Sequence, residues 1–239
     1  MGGQFVNLSL EKLMGGQIEG SHNKSGALFH ALRRSILLRE IQPDDPMTES
    51  DIGRQYGCSQ GTVREALMRL QEEGLVKRRG YRGTTASRST VDEVVQMVEI
   101  RIKLETEAIE RTVEIISDSK INELAEYLNR MEQAAQQTDH YELSEMDRKF
   151  HLTLFHCSGL AALEPILNRC MLHMHLHTFG NGAPKAKPGF VTAAHQPILD
   201  ALQDRDPPAA VQALSDHIHA TISNGAPPLK TALDAHQKP

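Results

Sequence analysis

The chain has 239 residues, with 26 Lys and Arg against 31 Asp and Glu, no Trp and 4% aromatics. That length suits two modest domains with separate cores, and 39% apolar with 24% charged residues excludes global disorder. The apolar runs are too short for a membrane-spanning helix.

The opening MGGQFVNLSLEKL lacks the charged-then-apolar order of a secretory signal, so the expected location is cytoplasmic, with no membrane partner. Cys58, Cys157 and Cys170 are odd in number and far apart, and are expected to be free thiols in a reducing compartment. Charge is uneven. Residues 1–90 carry 13 Lys and Arg against 10 Asp and Glu, whereas residues 91–239 carry 13 against 21. A mildly basic front and an acidic back point to separate jobs.

Residues 1–23 are Gly-rich and aperiodic and read as a flexible arm. Leu28, Leu32, Ile36 and Leu37 recur at helical spacing and predict an amphipathic helix from Lys24 to Glu40. The run Gln42-Pro43-Asp44-Asp45-Pro46 ends it in a turn. Thr48 caps a short second helix, with Glu49 and Asp51 at its positive end and Gly57 as its C-terminal stop. A third helix starts near Ser59 or Gln60, buries Val63, Ala66, Leu67 and Leu70, and closes at Gly74. Leu75-Val76 and the stretch from Lys77 to Thr85 predict two short strands around a Gly-containing turn. Between Gly74 and Val91 stand five basic residues and no acidic one.

From Val91 the pattern is helical almost throughout, in segments of roughly 20 residues. Breaks fall near Ser117-Asp118, Thr138-Asp139, Ser158-Gly159, Phe179–Pro188 and Asp206-Pro207-Pro208. Short connections make such helices antiparallel neighbours in a bundle. The stretch after Asn224-Gly225 holds Pro227, Pro228 and Pro239 and is expected to fray. The fold class is thus mainly α: a flexible arm (1–23), a winged helix-turn-helix (24–88), an all-α antiparallel bundle (89–224) and a flexible tail (225–239).

Helix, short helix, turn, helix and basic hairpin is a layout that sets one helix in the major groove of double-stranded DNA and a wing beside it. Arg64 lies off the apolar stripe of the third helix and is the candidate base reader, since Arg pairs with guanine O6 and N7 in a bidentate way. Ser59, Gln60 and Thr62 crowd that helix's N-terminus, where short polar groups suit a phosphate oxygen. Arg79, Gly80 and Arg82 form the wing, whose cations would release counterions on backbone contact.

The residues carry a resemblance. The run from Ile52-Gly53 through Thr62-Val63-Arg64-Glu65-Ala66-Leu67 to Glu73-Gly74-Leu75-Val76, with Arg79-Gly80 and Arg82-Gly83, closely resembles the winged-helix domain of GntR-family transcription regulators over residues 25–87. This chain departs from the usual pattern at Gln60, where Arg is common, at Thr62, where Pro is common, and at Pro43-Asp44, where Pro-Gly is common. Gln favours adenine, so an operator unlike the commonest one is expected.

In the back half, Asp147 and His151 are four apart on one helix face, and His195 and His217 follow on later helices. If they converge, a carboxylate and three imidazoles make a divalent-metal site with coordination positions left over. Otherwise each of the twelve histidines is a cap or a surface residue. Residues 91–222 resemble the FCD ligand domain of the FadR subfamily of GntR regulators. The resemblance rests on Arg101-x-x-x-Glu105, Asp147 and His151 with Phe150, His195-x-x-Ile198-x-x-Ala201, Asp206 and His217-Ile218. It implies a divalent cation, zinc or nickel, held by Asp147, His151, His195 and His217. Ala194 stands where Glu usually precedes the histidine.

Arg101 beside such a cation would clamp a small organic acid, or it pairs with Glu105 on its own helix. His173 and His177 share a face and are candidate effector contacts, with His175 pointing elsewhere; solvent or packing is the alternative for both. The expected function is a DNA-binding regulator, a repressor, acting as a homodimer on a palindromic operator and modulated by an organic acid at the metal. A sensor of the cation itself and a metal-dependent hydrolase are the alternatives; the chain offers no evident general base for the second.

Overall fold

The computed structural model describes residues 21–78, 80, 83–180, 189–225 and 227–236. They divide into two compact units, Met1–Ser89 and Thr90–Pro239.

In the first unit, α1 spans Ser21–Leu37. Leu28, Leu32, Ile36 and Leu37 are fully buried along it, as their spacing requires. The helix begins and ends three residues earlier than its apolar pattern predicts, because the chain turns at once to bury Ile41. Asp44 takes a φ of 67° in this turn. A short polar side chain tolerates that left-handed conformation, so Pro43-Asp44 makes the bend that a Pro-Gly pair would make. A two-residue strand β1 (Pro46–Met47) follows; it is too short to leave an alternating pattern in the sequence.

Next come α2 (Glu49–Tyr56) and α3 (Gln60–Glu72). Thr48 caps α2 by accepting from the Asp51 amide, and Gly57 stops it with a φ of 62°. A Cβ at Gly53 would lie 3.0 Å from the Cys58 carbonyl oxygen, so the turn folds back on α2 at backbone distance. Val63, Ala66, Leu67 and Leu70 of α3 are buried. Arg33, itself buried, reaches from α1 to Glu73 at 2.8 Å and ties the end of α3 down. Strands β2 (Val76–Arg78) and β3 (Thr84–Ala86) pair antiparallel, and β3 also pairs with β1, giving the order β1-β3-β2. Three helices and this small sheet form a winged helix-turn-helix.

The second unit is helical: α4 (Val91–Thr112), α5 (Asp118–Gln136), α6 (His140–His156), α7 (Glu164–Gly180), α8 (Phe190–Gln203), α9 (Pro207–Gly225) and α10 (Pro227–His236). Several helix starts carry the capping signals that the sequence offers. Thr90 and Glu93 form a capping box on α4, Ser117 caps α5, and Asp139 caps α6. Pro207 stands at the first position of α9, where its missing N–H costs nothing. Helix α5 packs on α6 and α8, and α4 packs on α7 and α9. One continuous core results, with Val98, Leu124, Phe150, Ile198, Leu202, Leu214 and Ile218 inside it.

Over residues 227–236 the expectation needs a correction. A fraying tail is expected there, yet α10 forms and buries Leu229 and Leu233 in the same core. No described helix is long and apolar enough to cross a membrane. Cys58, Cys157 and Cys170 are free, and burial pushes the Cys170 thiol up to about 11.

Candidate metal centre and nucleic-acid interface

Asp147 and His151 project from α6, His195 from α8 and His217 from α9, and one ligand atom from each lies within 4.8 Å of the other three. His151 is fully buried, and His195 and His217 nearly so. Their hydrogen bonds fix which nitrogens carry protons. His151 Nδ1 lies 2.5 Å from Glu105 Oε2, and a carboxylate only accepts, so Nδ1–H donates and Nε2 is the nitrogen turned toward the other candidate ligands. His195 Nδ1–H donates to the Val191 carbonyl at 2.9 Å, which likewise turns Nε2 toward the cluster.

These nitrogens face the other candidate ligands. His151 Nε2 is 3.1 Å from His217 Nε2, and His195 Nε2 is 3.2 Å from Asp147 Oδ1. Burial, then the neighbouring His195 and His151, hold the His217 imidazole well below its ordinary pKa, so it is neutral. Burial opposes ionisation of Asp147, but the imidazoles of His175, His195 and His151 hold its carboxyl well below the usual carboxylate range. A carboxylate and three imidazoles converging within 4.8 Å of one another form a donor set that fits a divalent cation, and nitrogen-rich sets of this kind suit zinc or nickel.

Glu105 anchors the arrangement from behind. It is buried on α4 and takes His151 on one oxygen and Arg101 Nε on the other, each at 2.5 Å. Burial opposes its charge, but Arg101 and His151 hold its pKa below the ordinary value, and it stays ionised. A carboxylate behind a ligating imidazole fixes ring and tautomer. Arg101 is itself buried beside this cluster; Nη1 has only Met174 Sδ at 4.0 Å, and Nη2 has no hydrogen-bond partner among the described residues.

On the other unit, Gln60 and Arg64 are exposed on α3. Ser59 is committed to capping: its hydroxyl accepts from the Thr62 amide at 3.2 Å and bonds the Thr62 hydroxyl at 2.9 Å. Arg64 is held by Glu49 of α2, Nε at 3.2 Å and Nη2 at 2.9 Å, and Arg78 of β2 approaches the same carboxylate at 3.7 Å. Gly80 is exposed with a φ of 55°. Arg79 and Arg82 lie outside the described residues.

The profile of the FCD domain matches residues 96–220, and that of the gntR family of bacterial regulatory proteins matches residues 24–86. The chain belongs to the GntR family, with an FCD domain at its C-terminal end. Members of this family are transcriptional regulators, not enzymes. Relatives of this GntR regulator include the HTH-type transcriptional repressor RspR of Escherichia coli (strain K12), 26% identical over 80% of this chain and 84% of that protein. The HTH-type transcriptional regulator YdhC of Bacillus subtilis (strain 168) is 23% identical over 86% of this chain and 91% of that protein. Among solved structures, Escherichia coli McbR/YncC is similar with a TM-score of 0.70, at 21% identity over 84% of this chain and 95% of that one, and shares the fold.

Two features of the GntR regulator's site differ from the sequence reading. The helix-face argument sends His175 away from the site, yet its Nε2 lies 3.8 Å from Asp147 Oδ2. His173 is buried and His177 half-buried, and neither belongs to the four-residue cluster. Glu105 reads in sequence only as a partner for Arg101; its bond to His151 joins residues 46 apart and leaves no trace in local spacing.

Proposed function

We propose that this GntR regulator is a repressor that binds a palindromic double-stranded operator as a homodimer and is modulated by a small organic acid at a zinc or nickel ion. Asp147, His151, His195 and His217 would hold the ion, which supplies positive charge with coordination positions to spare. The observation that carries the acid is Arg101, a buried cation whose Nη2 has no hydrogen-bond partner among the described residues. An unpaired buried charge-bearing donor is costly, and a carboxylate shared between that nitrogen and the ion would satisfy it. Effector control follows if the acid binds one arrangement of the DNA-reading heads more tightly than another. Arg64 and Gln60 would read bases, with Gln60 favouring adenine, while Thr62, Gly80 and the wing cations Arg79 and Arg82 would contact the backbone. Ser59 would act through the helix cap it makes. His173 and His177 would line the acid's pocket.

The test is a thermal-shift panel of small carboxylic acids on the metal-loaded and chelated protein. A ligand at 100 times its Kd adds about 2.7 kcal/mol, roughly 5–10 °C for a chain of this size. The expected result is a shift with one acid class that chelation and Arg101→Ala both abolish. A panel with no shift overturns the acid, and a shift that survives chelation overturns the metal anchor.

A further inference from the structure

Glu49 is the first residue of α2, where a carboxylate ordinarily just faces the positive end of its helix. Here it turns to α3 instead. Its two oxygens accept from Arg64 Nε and Nη2, the side-on edge of the guanidinium. A guanidinium has five N–H donors in a fixed planar fork. Side-on capture uses Nε–H and one Nη2–H and leaves the other Nη2–H and both Nη1–H groups untouched. That remaining end-on edge, one proton from each Nη, is the one that fits guanine O6 and N7. Arg64 is 56% exposed, so without Glu49 its long side chain samples many rotamers.

We propose that Glu49 is a specificity-determining residue, a positioning carboxylate that holds Arg64 side-on so that its end-on edge is presented to a base. This rests on the base-reading role proposed for Arg64. The contact of Glu49 with Arg78 on β2 extends the same brace to the wing strand. Opposite effects on two kinds of DNA separate this role from a purely electrostatic one. A negative charge beside the DNA-reading helix repels phosphate, so neutralising it tightens binding to any duplex. If Glu49 also aligns Arg64, the same change must loosen discrimination between duplexes.

The experiment uses the full chain and two duplexes, one carrying the motif that the wild type selects from a randomised pool and one with the same base pairs permuted. Glu49→Gln is expected to bind the permuted duplex about twofold or more tighter, while the ratio of the two affinities falls about fivefold or more. Glu49→Asp keeps the charge but shortens the reach, and is expected to lose discrimination without gaining affinity for the permuted duplex. In an Arg64→Ala background Glu49→Gln is expected to leave the ratio unchanged. A Glu49→Gln protein that tightens on both duplexes by the same factor overturns the inference. If Arg64→Ala itself preserves the ratio, the base-reading role fails first, whatever Glu49 does. Circular dichroism of each variant is expected to show unchanged helix content, since Thr48 caps α2 independently of Glu49.

Discussion

Glu105 shows how one side chain sets the chemistry of another. Between Arg101 and His151 it stays ionised in the core, and by accepting from His151 Nδ1 it turns Nε2 toward the other candidate ligands. Glu105→Gln keeps the shape but replaces a carboxylate by an amide, and carboxylates behind ligating histidines are worth about 10–100-fold in metal affinity. Zinc competition against a chromophoric chelator is expected to show a loss in that range; unchanged affinity would mean that Glu105 serves Arg101 alone. At this scale the sequence was most legible where chemistry is local. Asp147 and His151 share a helix turn and could be paired by spacing, whereas convergence with His195 and His217 came from family likeness, since residues 66 apart have no local signal. His175 escaped because a face argument assumes that the neighbours of a helix are known.

Helix starts that carry a capping side chain are legible in the sequence because capping is short-range physics, whereas the ends of α1, set by burial of Ile41, are not. Thr48, Ser59, Thr90, Ser117 and Asp139 all accept from backbone amides where the sequence places helix starts. A whole helix, α10, is missed. Pro227 and Pro228 look like breakers, yet proline is disruptive only where an N–H is needed, and at the opening of a helix none is. Leu229 and Leu233, one turn apart, were the overlooked sign of a buried face. Leu229→Ala is expected to destabilise the second unit by about 2–5 kcal/mol, readable as a lowered thermal midpoint. A change below about 0.5 kcal/mol would show that α10 is not packed in solution.

At the scale of the whole molecule, the charge asymmetry of the sequence maps onto two units with different tasks, and the candidate ligands all belong to the second. Chelation is therefore expected to raise amide hydrogen exchange in α6, α8 and α9 and to leave residues 24–86 unchanged, measured by mass spectrometry on DNA-free protein. Altered exchange in α3 would instead reveal energetic coupling between the units in the absence of DNA. The burial of the three imidazoles has a consequence in time. Helices α6, α8 and α9 wrap His151, His195 and His217 almost completely, and only Asp147 is partly exposed, so an ion seated among them would leave slowly unless those helices part. Its exchange with the surroundings is then paced by opening of the domain rather than by the strength of any one bond. On the proposed function, the slowly exchanging ion would then set the conditions under which a faster-exchanging acid is read.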